Sequence, residues 1–277
     1  MQKVVFDRYG VDEDKFWSDC RKRSQENQDL FGQAHGELDY MNTFLWYTKC
    51  GPLVGIDNTT LAELGNDIVL YPGVSWMFNE LFKLGIEIYI VSAGIKTMLS
   101  GLESRIQKES GNPDFKINGI FAGDFRCDEY GCKGITSIAT CMDTIGKTKT
   151  IYEISKGCNI HGYDFTVSLP QKSRRIPLES MIYVGDGYSD VPAMNLISGS
   201  GGFTLGVFDP KNRSQFEQIE QIRCSGRLSV IACADYTEGS TAATWLINKS
   251  AELLYINSEI YTTRREVEGL RENKLRA

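Results

Sequence analysis

Histidine is nearly missing from this sequence. Only His35 and His161 occur among 277 residues, which excludes His-rich metal sites and leaves two candidates at most for a Ser-His-Asp triad. Cysteine occurs eight times but never as C-x-x-C. The closest pair, Cys127 and Cys132, has no second pair at ligand spacing and reads as free thiols rather than a zinc site. An excess of positive charge is lacking too, with 30 Lys+Arg against 36 Asp+Glu and a net charge of −6. That balance argues against nucleic acid or an anionic membrane surface as a partner. No run of about 18 apolar residues suits a membrane span, and the strongest run, Ile86 to Ile95, is interrupted by Glu87. The opening MQKVVFDRYG lacks the pattern of a secretory signal, so a reducing cytoplasm is the expected compartment. No G-x-G-x-x-G follows an N-terminal strand, which disfavours a redox dinucleotide site. Carboxylates, lysine and hydroxyls are left to carry any chemistry.

The length suits roughly two domains, or one core with a large insertion. Segments such as Asp12 to Asn27 and Gly36 to Cys50 space their apolar residues three and four apart, among them Phe16, Trp17, Leu38, Met41, Phe44 and Leu45. That predicts amphipathic helices over residues 1–70. From Tyr71 onward strand and helix patterns alternate. Pro72 and Gly73 open a helix to about Leu84, and Ile86 to Val91 reads as a strand. Lys96 to Gln107 reads as a helix, Ile117 to Ala122 as a strand, and Phe125 to Ile135 as a hairpin or loop. Lys147 to Lys156 is helical. Met181 to Val184, Phe203 to Phe208 and Ser229 to Cys233 are further strands, with a short helix from about Val191. Ser240 to Leu275 is one long amphipathic helix or a pair. The alternation predicts an α/β domain with a mostly parallel sheet. The expected divisions are a helical unit over 1–70, an α/β core over 71–238 and a helical extension over 239–277.

Ligands in open parallel sheets sit beyond the carboxyl ends of the strands. After Ile86–Val91 comes Ser92-Ala93-Gly94, and after Met181–Val184 comes Gly185-Asp186-Gly187-Tyr188-Ser189-Asp190. Two carboxylates bracketed by glycines suit a hard divalent cation such as Mg²⁺ with a phosphate ligand; a capped turn is the plainer alternative. Ser92 and the backbone N–H groups of Ala93 and Gly94 could hold a phosphate oxygen at a helix N-terminus, or Ser92 could simply cap that helix. Lys147 or Lys149, opening the intervening helix, could neutralise phosphate charge, though a lysine there is often just solvated.

In this order the segments VSAG (Val91 to Gly94), GKTKTIYEISKG (Gly146 to Gly157) and YVGDGYSDVPAM (Tyr183 to Met194) resemble motifs II, III and IV of the haloacid dehalogenase (HAD)-like hydrolases. The likeness extends to a bacterial-type phosphatase-like subgroup. It runs through FDRYGVDEDKFW, YPGVSWMFNEL, FAGDFRCDEYG, GGFTLGVF and ADYTEGS, most of the chain. The resemblance implies a Rossmann-like, doubly wound, mostly parallel sheet with an N-terminal helical cap. It implies a Mg²⁺-dependent phosphatase acting on a small-molecule phosphate ester through an aspartyl-phosphate. Ser92 would bind the phosphoryl group, with Ala93 and Gly94 beside it. Lys147, or Lys149 as second choice, would neutralise its charge, and Asp186 and Asp190 would hold the metal directly or through water.

One motif departs from that pattern. These enzymes carry a D-x-D-x-T motif at the end of their central strand, supplying the nucleophile and the acid-base group. No such motif precedes Ser92. Lys3 to Asp7 resembles a strand ending in Asp, but residue 9 is Tyr. Asp57, in Gly55-Ile-Asp57-Asn-Thr-Thr60, resembles a helix cap. The resemblance therefore implies that motif I, with at least roughly ten residues of strand and loop, lies upstream of the chain given. A non-catalytic phosphate-binding protein on the same fold is the rival reading.

Overall fold

The computed structural model describes residues 2–129, 133–162, 164–170 and 173–275, with side chains described as far as residue 258. Four helices come first: α1 (Gln2–Tyr9), α2 (Glu13–Phe31), α3 (Gly36–Cys50) and α4 (Asn58–Gly65). Asp12 caps α2 by accepting the Lys15 N–H at 2.9 Å, and Gly32 closes it at φ 73°. Asp57 caps α4 through the Thr60 N–H at 2.8 Å, so it is a cap residue, as its sequence context suggests. Lys3 to Asp7 does not form the strand that its β-branched residues suggest. It is part of α1, because Val5 and Phe6 go into the core while Asp7 stays exposed.

An aromatic cluster holds these helices. The Phe16 ring lies 4.7 Å from Phe6 and 5.2 Å from Tyr47, centroid to centroid. Phe44 stacks on Phe125 at 5.3 Å, so the helical core continues into the sheet. Ile95, Met98 and Ile135 belong to the same buried cluster.

The alternating part contains α5 (Val74–Lys83), β1 (Tyr89–Ile95), α6 (Lys96–Leu99), α7 (Leu102–Ser110), β2 (Gly119–Cys127), β3 (Ile135–Thr140) and α8 (Thr144–Lys156). Then follow α9 (Cys158–His161), β4 (Ile182–Gly185), α10 (Val191–Gly199), β5 (Phe203–Phe208), α11 (Arg213–Cys224), β6 (Val230–Cys233) and α12 (Thr241–Leu275). This is a Rossmann-like α/β architecture whose strands are mostly parallel. Among the described residues no helix is long and apolar enough to cross a membrane.

Three departures from the sequence pattern have local causes. The first strand starts later than expected, because the Ile86 N–H still bonds Leu81 O at 3.0 Å as the chain leaves α5. Its ladder therefore runs from Tyr89 and takes Ser92 into the strand. The expected helix from Lys96 is split into α6 and α7. There α4 and α6 touch backbone to backbone, and a Cβ on Gly65 would lie 2.1 Å from the Met98 carbonyl oxygen. The third departure is α11, whose apolar residues Phe216, Ile219 and Ile222 follow Asn212, a cap accepting the Gln215 N–H at 3.1 Å.

The strands form two separate three-stranded sheets, ordered β1-β2-β3 and β4-β5-β6. Only β3 is antiparallel to its neighbour. No ladder joins β1 to β4 among the described residues, yet the chain near the two strands meets at both ends. Ahead of β4, Arg175 forms an ion pair with Glu87 and donates to the Tyr89 hydroxyl at 3.1 Å. At the other end, Val91 to Gly94 and Val184 to Asp186 line one cavity. β1 and β4 are therefore each the edge strand of their own sheet, and both reach the same cavity. Parallel strands are ordinarily covered on both faces, but Val184 in β4 is 37% exposed.

Truncating Phe16 to Ala should lower unfolding stability by about 3–5 kcal/mol, read from urea melts. A loss below roughly 1 kcal/mol would mean that the aromatic cluster does not hold the helical unit together.

Candidate phosphate and metal site

The geometry is built outward from Lys147. It lies on α8, one turn past the cap residue Asp143, and is 5% exposed. Its Nζ is 2.7 Å from Asp190 Oδ1 and donates to Ser189 Oγ at 2.9 Å. An ammonium carries three donors, so one N–H is left for the cavity that Lys147 lines. Lys149 is elsewhere: half exposed, it pairs with Glu153 at 2.9 Å.

Asp190 is fully occupied. Oδ1 accepts from Lys147 and from the Tyr183 hydroxyl, both at 2.7 Å, while Oδ2 accepts the backbone N–H groups of Asp186 at 3.1 Å and Gly187 at 3.2 Å. Its carboxylate packs directly on Gly185, where a Cβ would stand 2.7 Å from Asp190 Cγ. In this arrangement Asp190 anchors Lys147 and closes the Gly185–Asp190 loop. Burial, then the Asp190 charge, pushes the Tyr183 hydroxyl well above its ordinary range, which keeps it a donor.

Asp186 differs. Its Oδ2 accepts from Gln215 Nε2 at 3.1 Å, and Gln215 Oε1 in turn accepts the Asp209 N–H at 2.7 Å. No other described side chain hydrogen-bonds the Asp186 carboxylate. Burial and the neighbouring Asp190 charge raise the Asp186 pKa, opposed by Lys147. The donors around Asp186 are oxygens, with no histidine or cysteine lining the cavity, which suits a hard ion such as Mg²⁺. No cluster of three or more His, Cys, Asp or Glu occurs among the described residues. Mg²⁺ commonly uses one or two carboxylates, completing its shell with water and phosphate oxygens, so Asp186 fits that role.

Ser92 sits within β1, paired with Ala122, rather than at a helix N-terminus as its sequence context suggests. The following helix, α6, starts at Lys96 and has four residues. Ser92 Oγ accepts the Gly94 N–H at 3.0 Å, which leaves its own proton free to donate. Ala93 and Gly94 line the same cavity.

That cavity holds about 500 Å³ and brings Ser92, Ala93, Gly94, Lys147, Asp186 and Asp190 together. Its far wall comes from the N-terminal helices, with Gln2, Trp17, Gly36, Glu37 and Tyr40. Sequence reading missed Tyr183, Ser189 and Gln215. Ser189 was within reach as part of the glycine-aspartate loop, whereas only tertiary contact reveals the other two. Trp17, one of the apolar residues at helical spacing, also lines the cavity. Asp7 and Asp57 do not line the cavity. The Cys127–Cys132 pair cannot be compared, since Cys132 lies outside the described residues.

No protein-family sequence model matches the chain. An uncharacterised protein of Borreliella burgdorferi is 27% identical over 275 residues, an alignment covering 90% of each chain. Among solved structures, a HAD-family hydrolase from Salmonella enterica serovar Typhi superposes with a TM-score of 0.45 at 16% identity. The match covers 76% of this chain, and this chain spans 58% of the length of that one.

Asp190→Asn should destabilise the fold by about 3–5 kcal/mol, because it strands a buried ammonium. Adding Lys147→Met to that variant should recover part of the loss in urea unfolding. Equal stability of Asp190→Asn and wild type would rule out a structural role for the pair.

Proposed function

We propose that this chain carries the phosphate- and metal-binding parts of a HAD-like phosphohydrolase site for a small phosphate monoester. The carrying observation is that three separated segments bring Ser92, Lys147 and Asp186 into one cavity at the carboxyl ends of β1 and β4. That is where parallel α/β sheets bind ligands. The free Lys147 N–H and the Ser92 hydroxyl suit two phosphate oxygens. Asp186 is the residue that would hold Mg²⁺, with Asp190 acting on the site through Lys147 and the loop backbone. The bound ion would supply charge neutralisation across the phosphoryl oxygens.

Hydrolysis through an aspartyl-phosphate also needs a carboxylate aimed at phosphorus. Among the described cavity residues none is free to attack. Asp190 is paired, Asp186 is assigned to the ion and Glu37 stands on the far wall. The proposed nucleophile is an aspartate on a strand lying between β1 and β4. The unpaired edges of β1 and β4 and the exposure of Val184 support that placement. The same lack of a free carboxylate favours a second reading, a protein that binds phosphate without turning it over. On either reading the proposed setting is cytoplasmic, with no nucleic-acid or membrane partner.

With Mg²⁺ present, inorganic phosphate at about 100 times its Kd should stabilise the fold by about 2.7 kcal/mol, seen as a rise in Tm. EDTA or Asp186→Asn should abolish the rise. Mg²⁺-dependent turnover of p-nitrophenyl phosphate would select the hydrolase. A phosphate-dependent rise without turnover would select the binding protein, and no rise at all would defeat both.

A further inference from the structure

The far wall of the cavity has a chemistry that phosphate binding does not use. Glu37, on α3, faces the cavity half-buried. Its carboxylate accepts a weak hydrogen bond from Thr144 Oγ1 at 3.3 Å and forms no ion pair with a described Lys, Arg or His. Beside it, Trp17 stacks on Tyr40 with centroids 5.8 Å apart and planes at 23°. Tyr40 is fixed by the Gln2 side-chain amide, which donates to its hydroxyl at 3.1 Å. Both rings line the cavity.

Charge makes this wall selective. The described lining contains three carboxylates, Glu37, Asp186 and Asp190, against one ammonium, Lys147. Lys147 is already balanced by Asp190 at 2.7 Å. A divalent ion at Asp186 would make the floor receptive to phosphate but would leave Glu37 uncompensated. Helix α8 connects the two ends. Thr144, which touches Glu37, and Lys147 are three residues apart on α8 and share a helix face, so their side chains start roughly 5–6 Å apart. Glu37 and the Lys147 ammonium are therefore both reached from the same face of α8, and both line the cavity. Aromatic faces next to a carboxylate are a favourable environment for an ammonium.

We propose that Trp17, Tyr40 and Glu37 form a subsite for an ammonium group on the alcohol portion of the ligand. The substrate class is then a phosphate monoester of an ammonium-bearing alcohol. This inference rests on the phosphate site proposed above, which it extends to the leaving group.

The test is calorimetric binding to the intact chain with Mg²⁺, comparing phosphocholine with its uncharged isostere 3,3-dimethylbutyl phosphate. Inorganic phosphate and choline are titrated separately. The expected preference for phosphocholine is roughly tenfold in Kd, the scale of a partly desolvated cation–π contact. Glu37→Gln and Trp17→Leu should each shrink that ratio several-fold. Equal affinities for the two esters, or an unchanged ratio in both variants, would overturn the proposal. Choline binding that is lost in Glu37→Gln, with no binding of inorganic phosphate, would uphold the subsite while defeating the phosphate reading. Absence of binding by phosphate, both esters and choline would overturn both.

Discussion

An ammonium and a carboxylate held 2.7 Å apart, with their side chains 7% and 6% exposed, set the terms for everything around the cavity. Neither charge is tolerable there alone. Lys147 comes from α8 and Asp190 from the loop after β4, so the ion pair clamps two segments 43 residues apart in sequence. The pair also dictates the loop between them. Because Asp190 must reach both Lys147 and the backbone N–H groups of Asp186 and Gly187, only a residue without a side chain fits at Gly185. Asp186 is thereby turned toward the cavity, with Gln215 holding its other oxygen.

The second constraint is the division of the sheet. Arg175, in the segment ahead of β4, bonds Glu87 and Tyr89 at the start of β1, and both strands reach the cavity at their carboxyl ends, yet among the described residues each pairs on one side only. Among the described residues each therefore leaves one edge open to pairing with an extended segment.

The helical unit is more than a cover. Its aromatic core runs without interruption into β2 and β3 through Phe44 and Phe125, while Trp17, Glu37 and Tyr40 line the cavity together with Ser92, Lys147 and Asp186. Packing and cavity-lining roles are therefore shared by neighbouring residues on α2 and α3. Phe16 is fully buried next to a half-buried Trp17.

Much of the fold was legible because it depends on local periodicity. The spans of α3 and β5 and the cap at Asp57 follow from apolar spacing and cap chemistry. The glycine-aspartate loop and Ser92 were legible as candidate ligand groups because strand ends in parallel sheets are where such groups gather. Lys3 to Asp7 resembles a strand ending in Asp, yet it lies in α1, in line with the helical pattern of residues 1–70, with Val5 and Phe6 in the aromatic cluster. Boundaries were less legible: β1 begins later than its apolar run because Ile86 is still tied to Leu81 at the end of α5. The sequence by itself determined the alternation of helices and strands, the poverty of imidazole, and the supply of carboxylates and lysine from which a site could be made. Only the tertiary structure decided which of those groups meet. It chose Lys147 over Lys149, gave Asp190 to the lysine and Asp186 to Gln215, and set Glu37 beside Trp17 and Tyr40. The reason is physical. Propensity and amphipathicity act over a few residues, whereas desolvation, charge pairing and hydrogen-bond saturation act on groups that only folding brings within about 3 Å of one another.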